Sequence, residues 1–189
     1  MQNHRLILAS SSPRRLELIR AMGLQVEQVT SNADEIAEGE PIQLAMENAR
    51  LKAEAIRAAA PDAYILGADT IVVLNGTVYG KPRDEDDAAR ILRILQGRSH
   101  EVITGVCLVH GQSVETAYDR TSVRFSPMTE REIRAYIATG DPMDKAGAYG
   151  IQGMMRMYVE SVQGSYDNVM GLPTALVRRM LVGAGLEWV

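Results

Sequence analysis

The chain has 189 residues, a net charge of −4 and one cysteine. Its apolar share of 46% excludes a disordered chain, and its length suits one domain or two closely joined lobes. The acidic balance, with no basic run, argues against broad nucleic-acid binding, and a lone Cys107 excludes a disulfide framework or a cysteine zinc site.

Met1 to Arg5 leads into Leu6-Ile7-Leu8-Ala9, an apolar segment too short for a signal peptide or a membrane span; a reducing cytoplasm is the expectation. That segment reads as a short buried strand. Ser10-Ser11-Ser12-Pro13-Arg14-Arg15 then opens a helix, with Ser12 as N-cap and Pro13 at the first helical position. Leu16, Ile19 and Met22 form its buried side, and Gly23 stops it. A hydroxyl-rich turn, a helix start and two arginines make an anion site, because free N–H groups and the helix dipole point at the ligand. An ordinary capped helix with surface arginines has the same pattern.

Gln25 to Thr30 reads as a second strand, followed by Asp34-Glu35 in a polar turn. Two acids in a loop are commonly solvated; near a phosphate they can hold a divalent cation. From Pro41 a helix is expected to about Ala59. Ala45, Ala49, Lys52 and Ile56 share one stripe of it. A lysine there either reaches out to water or points inward at something negative.

Tyr64 to Leu74 has the apolar flanks of a buried strand, interrupted by Asp69. An ionised carboxylate in that position is costly unless a metal, a cation or several donors receive it. A strand-end Asp that caps a turn or pairs with an arginine is the alternative. Gly67 and Ala68 permit close approach of another backbone or a ligand. Asn75-Gly76 is a hairpin signal, and the return strand is expected to bring Lys81 across from Asp69. The acids from Asp84 to Asp87 read as a solvated first helical turn, with Ala88, Ile91, Leu92 and Leu95 inward and Gly97 as the stop.

His100 to Val109 and Ser113 to Phe125 read as paired strands; two histidines at strand ends make no zinc site. Thr129-Glu130-Arg131-Glu132 is a capping box for a helix carrying Ile133, Tyr136 and Ile137 inward. Asp141 to Gly153 crowds glycines with Lys145, Tyr149 and Gln152, and Gln152 can both donate to and accept from a base edge. Met154 to Val162 is strand-like. Gly171-Leu172-Pro173 precedes a last helix with Leu176, Val177, Met180 and Leu181 inward, and the methionines read as core or rim filler.

Together these runs become more specific. Ala9-Ser10-Ser11-Ser12-Pro13-Arg14-Arg15, Gly67-Ala68-Asp69-Thr70, Gly80-Lys81-Pro82, Asp144-Lys145-Ala146-Gly147-Ala148-Tyr149-Gly150-Ile151-Gln152-Gly153 and Gly171-Leu172-Pro173 span nearly the whole chain. In kind and order they resemble the Maf family of nucleoside triphosphate pyrophosphatases. The resemblance implies an elongated α/β fold: a mixed sheet with flanking helices, related to inosine triphosphate pyrophosphatases. It implies a single domain over residues 1–189 with two lobes sharing a central cleft, and usually a homodimer. It implies Mg²⁺- or Mn²⁺-dependent hydrolysis of a nucleoside triphosphate to the monophosphate and pyrophosphate.

The segment ending in Gly150-Ile151-Gln152-Gly153 looks like the subgroup acting on dTTP and UTP, which removes non-standard or excess pyrimidine nucleotides. A sister subgroup acts on 7-methyl-GTP and differs there. By the same resemblance Asp69 is the proton acceptor, Lys52 and Lys81 belong to the site, and Arg14, Thr70 and Gln152 bear on substrate choice. Ser10, Arg15 and Lys145 are expected at the substrate, and Glu35 with Asp69 at the metal. No nucleic-acid or membrane partner is expected. A nucleotide sensor acting on septum formation is the reading from another class.

Overall fold

A seven-stranded mixed sheet runs in the order β2-β1-β3-β5-β6-β7, with β4 beside β3. The computed structural model describes residues 5–186; the expectations about Met1 to His4, and the outermost ends of the 1–189 domain, lie outside them. The strands are β1 (Leu6–Ala9), β2 (Glu27–Val29), β3 (Tyr64–Leu74), β4 (Thr77–Tyr79), β5 (Ser99–His110), β6 (Ser113–Phe125) and β7 (Val159–Gln163). The helices are α1 (Pro13–Ala21), α2 (Pro41–Arg57), α3 (Glu85–Leu95), α4 (Glu130–Ile137), α5 (Tyr166–Val169) and α6 (Thr174–Gly183). The mixed α/β fold expected from the sequence is present, and no helix among the described residues is long and apolar enough to cross a membrane.

The long strand β3 organises the rest. Along one edge β5 pairs with residues 65–73. The other edge is shared: β1 pairs in parallel with residues 64–66, and β4 returns through Asn75-Gly76 to pair with residues 72–74. Asn75 and Gly76 both have positive φ (51° and 78°), which is the backbone a two-residue hairpin requires. Between β1 and β4, residues 67–71 have no strand partner on that edge among the described residues.

Separate apolar clusters flank this gap. One joins the N-terminal half of β3 to β1, α1 and α6 through Leu8, Leu66, Ile19 and Leu181. Another joins its C-terminal end to α3 and α4 through Val72, Leu92, Phe125 and Ile133.

Helix α2 lies directly on β3 and β5. A Cβ on Gly67 would stand 2.2 Å from the Ala49 carbonyl oxygen, and one on Gly105 2.3 Å from that of Ala45. Glycine opposite alanine brings the helix backbone onto the sheet, so its next polar positions, Asn48 and Lys52, reach the strand carrying Asp69.

Four local expectations are corrected. Strand β2 is shorter than residues 25–30, because β1 offers it only Ile7, Leu8 and Ala9 as partners. Residues 153–158 form a 3₁₀ turn instead of a strand, since Gly153 takes a left-handed φ of 63° and extension resumes only at Val159. Lys81 does not stand across a ladder from Asp69: pairing ends at Val72–Tyr79, and Gly105 of β5 is the residue opposite Asp69. Asp87 is not a solvated first-turn acid. Its side chain is buried, bonded to Arg90 and Arg83, and these contacts bring its pKa down to about 2.

Candidate active site

The gap in the β3 edge opens into a cavity of about 690 Å³. Neighbouring strand residues point to opposite faces. Asp69 meets α2 and Thr70 meets α1, yet both line this cavity because the strand edge between them is uncovered. Ser10, Arg14 and Arg15 enter it from the start of α1, Glu35 from the loop before α2, and Lys52 from α2 itself. Lys81 follows β4, and Lys145 comes from the loop after α4. Gln152 does not line the cavity; it is exposed beside Gly153.

Asp69 is 8% exposed. Its Oδ1 is 2.7 Å from Lys52 Nζ, and the same ammonium is 3.1 Å from Glu35 Oε1. Lys52 therefore points inward, the reading that a lysine on the buried stripe left open. Among the described residues Asp69 Oδ2 has only a 3.5 Å contact with Asn48 Nδ2 and is the less encumbered oxygen. Asn48 also receives the Ile36 N–H at 2.7 Å and donates to the Ile36 carbonyl at 3.0 Å. It thereby ties the Glu35 loop to α2.

Asn48 was not singled out from the sequence. The available signal was its place four residues before Lys52, one turn away on the same helix face.

Arg15 is bound into the wall. Its guanidinium donates to Gly171 O at 2.7 Å, to Ser10 Oγ at 3.1 Å and to Thr70 Oγ1 at 2.9 Å. Burial pushes its pKa below the usual arginine value, and the negative charge of Asp69 opposes that shift. Part of its donor set is thus committed to joining three chain segments. Lys145 is committed further: Nζ donates to Asp141 O at 2.6 Å and to Asp141 Oδ1 and Asp144 Oδ1 at 2.8 Å each, which accounts for all three of its hydrogens. Tyr136 pins the same loop, donating to Asp141 Oδ2 at 2.5 Å and accepting the Gly150 N–H at 3.0 Å.

Arg14 and Lys81 have no ion pair among the described residues. The cavity walls carry five cations (Arg14, Arg15, Lys52, Lys81, Lys145) against three acids (Glu35, Asp69, Asp144), so the site is locally positive in an acidic protein. Helix α1 adds its N-terminal end, with Ser12 Oγ accepting the Arg15 N–H at 3.4 Å. The arrangement suits an extended polyanion.

Among the described residues no group of three or more His, Cys, Asp and Glu side chains is gathered as a metal cage. Mg²⁺ commonly takes one or two protein carboxylates and completes its shell with phosphate oxygens and water. Glu35 and Asp69, converging on one ammonium, are a donor set of that kind. They fit a metal that arrives with a phosphate-bearing ligand.

Comparison with known proteins follows the same line. The family model described as Maf-like protein matches residues 5–184. The chain is 45% identical over 184 residues to the dTTP/UTP pyrophosphatase of Deinococcus radiodurans, covering 97% of this chain and 94% of that protein. It is 48% identical over 184 residues to the dTTP/UTP pyrophosphatase of Koribacter versatilis, covering 96% and 95%. Among solved structures it resembles the Ham1 protein of Staphylococcus aureus, with a TM-score of 0.58, 14% identity, and coverage of 95% and 99%. At that identity the likeness concerns the fold alone.

Proposed function

This chain belongs to the Maf family, and from that premise we propose that it hydrolyses dTTP and UTP to the nucleoside monophosphate and pyrophosphate. The observation that carries the proposal is the meeting of Asp69, Lys52 and Glu35 in a cavity also lined by Arg14 and Lys81, which have no ion pair among the described residues. Relatives bearing the dTTP/UTP pyrophosphatase name support the substrate class.

Arg14, Lys81 and the start of α1 hold the triphosphate, each offering donors to phosphate oxygens. Water attacks the α-phosphorus, the bond to the bridging oxygen breaks, and pyrophosphate leaves with the bond electrons. Asp69 Oδ2 takes the proton of the attacking water, since Oδ1 is held by Lys52. Lys52 balances charge as the phosphorus centre becomes crowded, in a site where positioning and fixed charge do most of the catalysis. Glu35 and Asp69 would hold a Mg²⁺ or Mn²⁺ ion, which would supply Lewis-acid charge to the phosphate oxygens.

Arg15 and Lys145 act from the wall: Arg15 joins α1, β3 and the segment before α6, and Lys145 holds the loop after α4. In the cell the reaction would withdraw non-standard or excess pyrimidine nucleotides.

The test is a nucleotide panel at fixed Mg²⁺, repeated in EDTA, with products identified by mass. UMP and dTMP with pyrophosphate are the expected products, and chelation is expected to stop their formation. Release of UDP and phosphate would overturn the bond assignment. Exclusive turnover of a purine nucleotide would overturn the substrate class, and full activity in chelator would remove the metal.

A further inference from the structure

Beneath the cavity floor runs a chain of hydroxyl groups whose direction is fixed by its two ends. Thr70 and Thr104 are cross-strand partners of β3 and β5, with their Oγ1 atoms 3.0 Å apart. Thr104 is fully buried and lies 3.1 Å from the backbone carbonyl of Asn168. A carbonyl only accepts, so the one hydroxyl hydrogen of Thr104 goes to Asn168.

Asn168 is also fully buried and is fixed from the other side. Its Nδ2 donates to Val102 O at 3.1 Å and to Thr121 Oγ1 at 3.0 Å. At the opposite end Arg15, which can only donate, gives an N–H to Thr70 Oγ1 at 2.9 Å.

Only one arrangement makes hydrogen bonds of both the Thr70–Thr104 and the Thr104–Asn168 contacts. Thr70 receives from Arg15 and gives its own hydrogen inward, to Thr104 at 3.0 Å in preference to Gly171 O at 3.4 Å. One lone pair of the Thr70 hydroxyl is then left over, and Thr70 lines the cavity. A phosphate oxygen, itself an acceptor, finds no hydrogen on the Thr70 hydroxyl.

We propose that Thr104, held by Asn168, is a positioning residue that fixes Thr70 as a hydrogen-bond acceptor, so that Thr70 receives an N–H or O–H donor of the nucleoside and takes no part in holding the phosphates. The inference rests on the pyrimidine nucleotide reading above and deepens it. It assigns the phosphates to Arg14, Lys81 and the start of α1, and leaves the Thr70 hydroxyl to the nucleoside.

Binding of UMP and of inorganic tripolyphosphate is measured by calorimetry for the wild type, Thr104→Val and Thr104→Ser. Valine keeps the shape of threonine and removes the acceptor for the Thr70 hydrogen. Thr104→Val is expected to weaken UMP roughly three- to tenfold, the scale of one neutral hydrogen bond, and to leave tripolyphosphate unchanged. Thr104→Ser, which keeps the hydroxyl, is expected to bind both as the wild type does; a merely structural role for the side chain would not produce this selective loss and rescue.

Equal weakening of both ligands by Thr104→Val, or no change in either, overturns the inference. If thermal melting shows that Thr104→Val does not fold, Thr104→Ala carries the same expectation without the added methyl group. Pyrophosphate release from UTP by the wild type is measured in parallel. A wild type that neither hydrolyses UTP nor binds UMP overturns the underlying reading, whereas one that does both leaves the Thr104 result to stand alone.

Discussion

Lys52 Nζ on α2 and Asp69 Oδ1 on β3 are 2.7 Å apart, although the two residues are 17 positions apart in the chain. Each side chain is nearly excluded from solvent, at 13% and 11% exposure. A buried pair of this kind adds little net stability when the desolvation of both ions is counted. Its consequence is positional: the pair places one carboxylate oxygen and one ammonium at fixed points on the cavity wall, and leaves Asp69 Oδ2 facing a weaker partner.

Replacing Asp69 by asparagine keeps the shape and removes the proton acceptor, while Glu35 remains within reach of Lys52. Turnover of UTP is expected to fall by at least about 100-fold, the lower end for loss of a proton-transfer group. Initial rates of pyrophosphate release measure it, and a wild-type rate would remove Asp69 as the base.

Gly105 sets how closely α2 approaches the sheet, because its added Cβ would stand 2.3 Å from both the Ala45 carbonyl carbon and oxygen. Gly105→Ala must therefore displace helix backbone, at a cost of about 1–3 kcal/mol or more. Since α2 carries Lys52 and Asn48, activity should drop along with the denaturation midpoint. Unchanged stability and rate together would show that the helix is not seated by this contact.

His100 gives the fold a dependence on acid. Burial brings its pKa down to about 4 from the usual 6.5, and its Nε2 lies 2.8 Å from Tyr149 Oη. Between those two values the unfolded chain binds the proton and the folded chain does not, so stability is fully present above pH 6.5 and falls as pH drops towards 4. The loss from this group is about 3 kcal/mol over that window. Denaturant titrations at several pH values should show a shallower slope for His100→Gln than for the wild type. Equal slopes would assign the acid sensitivity elsewhere.

Gln152 stands outside the cavity and exposed. With that placement Gln152→Ala leaves the ratio of UTP to CTP hydrolysis unchanged. A lost preference, measured with the two nucleotides in competition, would bring this residue to the base through a movement of the 146–158 segment.

Short-range rules were enough for much of this protein. Ser12 and Pro13 begin α1, Thr129 and Glu132 close a capping box, and Asn75-Gly76 turns a hairpin, because each depends on backbone conformations and donors within a few residues. The runs around Arg14, Asp69, Lys81 and Gly171 were legible for the same reason and pointed together to one family.

Only the tertiary structure decided what those side chains touch. It put Lys52 between two carboxylates, turned Lys145 onto the acids of its own loop, tied Arg15 to Thr70 and Gly171, and left Lys81 beyond the end of its ladder. It also brought in Asn48 and Thr104, whose roles come from residues far away in the chain. Hydrogen bonds and ion pairs are spent on whichever partner lies within about 3 Å, and that distance is set by how helix and sheet pack, which no local run of residues encodes.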